Sequence, residues 1–139
     1  MARIEFKLRN LDEARAAEEK LLADISSCGY DEAAVFAIRL AVEEALNNAI
    51  RHGNCMDSSK VAEFAFEINE KQVWVRIVDE GSGFDPNDLP DPTGAEHIEK
   101  ASGRGVMLMK AYMDDVSFNE RGNELTMVKY RDSSPPVKK

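Results

Sequence analysis

Glu44-Ala45-Leu46-Asn47-Asn48-Ala49-Ile50-Arg51-His52-Gly53 is the stretch on which the reading of this 139-residue chain turns. It closes a segment that begins after Asp31, in which Val35, Phe36, Ile38, Leu40, Val42, Leu46 and Ile50 predict a helix apolar on most sides, running to about His52. A helix of that kind belongs in a core. Asp31 is its expected N-cap and Gly53 its C-cap. The polar residues Glu43, Glu44, Asn47 and Asn48 inside it therefore need a reason. Glu44, Asn48 and His52 stand at i, i+4 and i+8, which drift only about 40° per step and so share one stripe. Ala41, Ala45 and Ala49 form a neighbouring stripe of small side chains. A carboxylate beside a carboxamide, with space around them, suits a ligand carrying a hard cation such as Mg²⁺, which takes oxygen donors and keeps waters and phosphates as its other ligands. Glu43 and Asn47 make a second i,i+4 pair on an adjacent stripe, and spacing does not choose between the two. His52, ending the helix, reads as structural, bonded to the last carbonyls.

Working outward, Ile4, Phe6 and Leu8 alternate as a strand. Asn10 with Glu13 marks the start of a helix over Leu11 to about Ser27, which Gly29 ends. On the other side, Phe64, Phe66 and Ile68 alternate in one strand and Val73, Val75 and Ile77 in another, joined by Asn69-Glu70-Lys71-Gln72. From Asp79 to Gly103 periodicity stops, and glycines and prolines break the chain repeatedly. A loop of that length in a small domain is more often a lid or binding loop than a plain connection. A short helix from about Arg104 to Met113 follows, then a hairpin near Val116–Asn119 and Leu125–Tyr130 that turns at Arg121-Gly122-Asn123. Strands adjacent in sequence pair antiparallel, so the expected fold is a two-layer α/β sandwich of one domain over 1–131. Residues 132–139, rich in proline and polar residues, read as a frayed tail.

The chain carries 26 acidic and 18 basic side chains, a net charge of −8. That balance argues against direct binding of nucleic acid, which rests on clustered Lys and Arg. No apolar run approaches the roughly 20 residues of a membrane span, and no apolar segment behind basic residues reads as a signal peptide. Cys28 and Cys55 show neither metal-ligand spacing nor a disulfide framework, so a reducing cytoplasm is expected.

Two further motifs carry chemistry. Asp79-Glu80-Gly81-Ser82-Gly83-Phe84 follows a strand directly. A carboxylate there can accept a hydrogen bond from an exocyclic amine, and the glycines let backbone approach a flat ring. Ser102-Gly103-Arg104-Gly105-Val106-Met107 opens the third helix. Glycines at a helix N-terminus offer backbone N–H groups to an anion, and Arg104 adds a cation. It is neither a Walker A loop nor a Rossmann fingerprint.

In this order the motifs resemble those of the Bergerat-fold (GHKL) ATPases, the superfamily of gyrase and the histidine kinases. Glu44 to Gly53 is similar to their N box, Asp79 to Phe84 to their first glycine box and Gly103-Arg104-Gly105 to their second. Gly103 to Val116 is most similar to the small stand-alone anti-sigma-factor serine kinases, and the resemblance runs from about Ile4 to Tyr130. It implies a Bergerat ATP-binding fold with a mixed, mainly antiparallel sheet and a long ATP lid, taking ATP and Mg²⁺.

The resemblance also assigns roles. Asn48 would hold Mg²⁺ and Glu44 would be the general base. Asp79 would bind the adenine amine, with Gly81 and Gly83 beside the ring. Gly103 and Gly105 would hinge the lid and give N–H groups to the phosphates, and Thr126 would place a hydroxyl near the adenine. Two departures stand out: Ala101 replaces a basic residue, leaving Arg51, Lys100 and Arg104 as phosphate-side cations, and the usual Gly-Thr is loosened to Asn123-Glu124-Leu125-Thr126. The function implied is a serine-protein kinase that binds a sigma factor or similar target and phosphorylates a small antagonist protein, with a homodimer through the first strand. The alternative is a nucleotide-gated binding module without catalysis.

Overall fold

The computed structural model describes residues 3–81 and 103–132. Strand β1 (Ile4–Leu8) leads into α1 (Leu11–Ser27) and α2 (Glu32–Asn47), which continues through a π-helical turn at Asn48–Gly53. Strands β2 (Ala62–Ile68) and β3 (Gln72–Val78) follow, then α3 (Gly103–Tyr112), β4 (Asp115–Phe118) and β5 (Glu124–Tyr130). The five strands lie in the order β1-β2-β3-β5-β4. Every pairing is antiparallel, so the sheet expected to be mixed is antiparallel throughout the described residues.

Register explains how the sheet buries one face. Phe6 lies opposite Phe64, Phe64 opposite Ile77, Ile77 opposite Leu125, and Leu125 opposite Phe118. A second row runs through Ile4, Phe66, Val75, Met127 and Val116. Because side chains alternate across a strand, both rows point to one side, and a one-residue slip would turn them all to water. The rings of Phe64 and Phe66 pack with centroids 5.6 Å apart, and Phe6 covers both. Burying each such ring contributes about 1.5–3 kcal/mol. Leu21 and Ile25 of α1, Ile38, Val42 and Leu46 of α2, and Met109 of α3 complete the core from the helical layer.

The caps form as their residue types dictate. Asn10 accepts from the Glu13 N–H at 2.8 Å, while Glu13 accepts from the Arg9 N–H at 2.7 Å. Asp31 accepts from the Ala34 N–H at 2.8 Å, and Gly29 takes φ +87°, a left-handed conformation suited to glycine. Gly53 departs from expectation. The helix loosens at Asn48, so that the Asn54 N–H reaches the Ala49 carbonyl five residues back at 2.8 Å. Gly53 is not among the glycines with positive φ; its missing side chain serves a close approach described below. Residues 82–102, with Gly83, Lys100 and Ala101, and the tail beyond 132 lie outside the described residues.

Candidate functional site

The C-terminal half of α2, the end of β3 and the first turn of α3 converge at one end of the molecule. Glu44 and Asn48 are half-buried on α2, and Gly105 is buried in the first turn of α3. A β-carbon built on Gly105 would stand 2.6 Å from Glu44 Oε2 and 3.0 Å from Asn48 Nδ2. This choice separates the two i,i+4 pairs that spacing left equal: α3 meets the Glu44–Asn48 stripe, while Glu43 is exposed. The N-terminal turn of α3 is therefore set beside an acid and an amide.

At the end of β3, parity places Asp79 on the same face as Val75 and Ile77, toward the helices. Its carboxyl group lies against Gly53, where a β-carbon would overlap it, and Gly81 lies against the Gly53 backbone just as closely. The Gly81 N–H donates to Asp79 Oδ1 at 2.8 Å. Burial raises the Asp79 pKa above the usual aspartate value, opposed by that N–H and by the positive charges of Arg121 and Lys60.

A family model described as a histidine kinase-like ATPase domain matches residues 4–129. The chain belongs to this family. A serine-protein kinase RsbW of Oceanobacillus iheyensis is 31% identical over 109 residues, covering 73% of this chain and 69% of its own. An anti-sigma F factor of Clostridium beijerinckii is 32% identical over 131 residues, 90% of this chain and 89% of its own. A crystal structure of the RsbU and RsbW domains of a Mycobacterium tuberculosis protein superposes with a TM-score of 0.61 at 15% identity, over 99% of this chain. The present chain spans only 35% of that longer one, and the likeness shows a shared fold.

As a histidine kinase-like ATPase domain the chain has a nucleotide-binding architecture. Its N-box acid and amide, the strand-end Asp79 with Gly81, and the α3 start with Gly103 and Gly105 are brought together. Arg104 lies in the first turn of α3, Arg51 is exposed on the π turn, and Gly83 falls outside the described residues. Thr126 is not brought to this group. Leu125 and Met127 are buried in the core, whereas Thr126 sits opposite Arg76 and Ser117 on the other face of the sheet. Strand alternation is the reason: with Asn123-Glu124 before it, Leu125 takes the inward position beside Ile77.

Three residues went unread in the sequence. Asn54 is 2% exposed, and its Oδ1 accepts from the Glu80 N–H at 2.7 Å. Asn123 exchanges bonds with the Asp79 backbone: the Asp79 N–H donates to its carbonyl and its Nδ2 donates to the Asp79 carbonyl, both at 3.0 Å. Arg121 donates to the Gly81 carbonyl at 3.3 Å. For Arg121 and Asn123 the one sequence signal was the turn at Arg121-Gly122-Asn123, which reads equally well as a plain hairpin. Among the described residues no group of three or more His, Cys, Asp or Glu could hold a metal ion, and no helix is long and apolar enough to cross a membrane.

Proposed function

We propose that the chain is an ATP-dependent protein-serine kinase that also binds a sigma factor or similar target protein and phosphorylates a small antagonist of that binding. The observation that carries this reading is the meeting of Gly105 with Glu44 and Asn48, which leaves a cradle that a single β-carbon would fill. The names of the relatives, serine-protein kinase and anti-sigma factor, support the same reading.

The residues fit ATP with Mg²⁺. Asn48 would offer an amide oxygen to the metal, which would supply positive charge against the phosphates. The α3 N-terminus, with Gly103, Arg104 and Gly105, faces the phosphates with N–H groups and positive charge. Asp79 accepts a hydrogen bond from the adenine amine, with Gly81 and, by motif, Gly83 beside the ring. In the transfer step the serine oxygen of the antagonist forms a bond to the γ-phosphorus as the bond to the β-bridging oxygen breaks. ADP departs and Glu44 accepts the serine proton. A homodimer belongs to the same reading and is supported by the position of β1 at the sheet edge. A cytoplasmic setting, with no direct nucleic-acid contact, accords with the net charge of −8.

Incubation with γ-labelled ATP, Mg²⁺ and the cognate antagonist should label a serine of the antagonist, and Glu44→Gln should abolish labelling. Labelling that survives in Glu44→Gln removes Glu44 from the base role. Capture of the partner that requires ATP yet gives no labelled product would replace the kinase with a nucleotide-gated binding module.

A further inference from the structure

Asp79 is the first residue beyond the β3 ladder, so its direction is set by whatever holds its backbone. One residue holds both of its main-chain polar groups. The Asp79 N–H donates to the Asn123 carbonyl and the Asp79 carbonyl accepts from Asn123 Nδ2. The Asn123 amide is itself fixed at its other end, because Asn119 Nδ2 donates to Asn123 Oδ1 at 2.9 Å. Asn119 in turn is anchored by three backbone donors, the N–H groups of Gly122, Asn123 and Glu124, at 2.7, 3.0 and 3.2 Å from its Oδ1. With its oxygen occupied by Asn119, the Asn123 carboxamide has one orientation, and that orientation aims its NH₂ at Asp79.

The neighbouring residue is held from the opposite side. Asn54 accepts from the Glu80 N–H, and Glu80 Oε2 accepts from the Val61 N–H at 2.6 Å. Asn54 Nδ2 is buried, with no hydrogen-bond partner among the described residues. An orphaned amide of this kind costs about 1–3 kcal/mol. A cost of that size is tolerated where the acceptor on the same side chain is needed in one place. Asp79 and Glu80 are thus clamped between the β4–β5 turn and the end of the π turn, with the Asp79 carboxyl against Gly53.

We infer that Asn123, oriented by Asn119, is the positioning residue for the Asp79 carboxyl group and sets discrimination between a purine that presents an amine and one that presents a carbonyl. The inference rests on the reading of Asp79 as the acceptor for the adenine amine. A fixed carboxylate accepts from an amine and repels a carbonyl; one free to swing loses both effects.

The test measures binding of ATP and of inosine triphosphate, each with Mg²⁺, to the full chain by calorimetry. The wild type is expected to prefer ATP, and Asp79→Asn to lose the preference. Asn123→Ala is expected to reduce the ATP-to-inosine-triphosphate affinity ratio about tenfold, the scale of one lost hydrogen bond, while affinity for inosine triphosphate stays within about twofold. Asn123→Asp keeps the size of the side chain but has no donor for the Asp79 carbonyl. It is expected to lose the ratio equally, so the comparison does not hang on the folding of one variant. A wild-type preference that both variants retain would overturn the positioning role alone. Proportional loss of both nucleotides would also overturn it, since that is what a merely structural residue produces. A wild-type ratio of one would instead overturn the base-recognition reading, and this role with it.

Discussion

Gly105 faces Glu44 so closely that a β-carbon on the glycine would stand 2.6 Å from the Glu44 Oε2 atom. The glycine is needed for what it lacks, and the crowding group is the far end of a half-buried side chain that can swing aside. Gly105→Ala is therefore expected to cost under about 1 kcal/mol of stability but to displace Glu44, the proposed proton acceptor. Phosphoryl transfer to the antagonist should fall at least about tenfold, with the thermal midpoint nearly unchanged. A single-turnover assay beside a melting curve separates the two effects.

Gly81 presents the opposite case. A β-carbon there would overlap the backbone carbonyl of Gly53, which has no rotamer to change. Gly81→Ala should destabilise the domain by about 1–3 kcal/mol, more than Gly105→Ala, with the midpoint of chemical denaturation as the measurement. Equal midpoints for the two variants would contradict this ranking.

Glu18 on α1 has its pKa pushed up to about 7, chiefly by burial and then by the negative charge of Glu43 on α2; Arg39 and Arg15 oppose these. The folded state therefore keeps a proton that the unfolded chain releases near the ordinary glutamate value of 4.5. Stability should fall as pH rises from 4.5 to about 7 and level off above that. Glu18→Gln should flatten this dependence, gaining stability relative to the wild type at pH values above the window and little below it. Denaturation midpoints across that pH series provide the check.

Cys55 and Met56 occupy left-handed backbone, at φ 55° and 60°, in the loop after the π turn. Left-handed geometry costs a residue with a β-carbon about 1–2 kcal/mol, and glycine returns part of that gain as unfolded-state entropy. Met56 is 53% exposed, so its side chain contributes little packing. Met56→Gly should stabilise the protein by about 0.5–1 kcal/mol in equilibrium unfolding.

The acid excess bears on the metal. With 26 acidic against 18 basic side chains, a polyanionic nucleotide meets an unfavourable field unless its charge is neutralised locally. ATP affinity should drop by an order of magnitude or more in chelator, as titration with and without Mg²⁺ would show. Equal affinity in the two conditions would remove the metal from the account.

Much of the fold was legible because each element is periodic and locally capped. Phe64, Phe66 and Ile68 against Val73, Val75 and Ile77 announced a hairpin, and Asn10 and Asp31 announced helix starts, each by its own chemistry. The π winding at Asn48 was not legible, since hydrogen bonds to a residue five back leave no mark in composition. The side of the sheet that Thr126 takes shows the same limit at higher resolution. A hydroxyl one position along a strand lies on the wrong side of the sheet, and only the pairing of Leu125 with Ile77 shows which parity holds.

By itself the sequence determined the element order, the single antiparallel hairpin logic and the three motifs in their family order, because these follow from local periodicity, caps and glycine placement. Tertiary structure alone decided which acid–amide pair faces the third helix, that Asn54, Asn119 and Asn123 act on the backbone around Asp79, and that Thr126 does not join them. Those outcomes depend on which surfaces meet across the fold, over separations of 26 residues between Asn54 and Glu80 and 44 between Asp79 and Asn123. Periodicity along the chain carries no record of such meetings; packing of helix against sheet creates them.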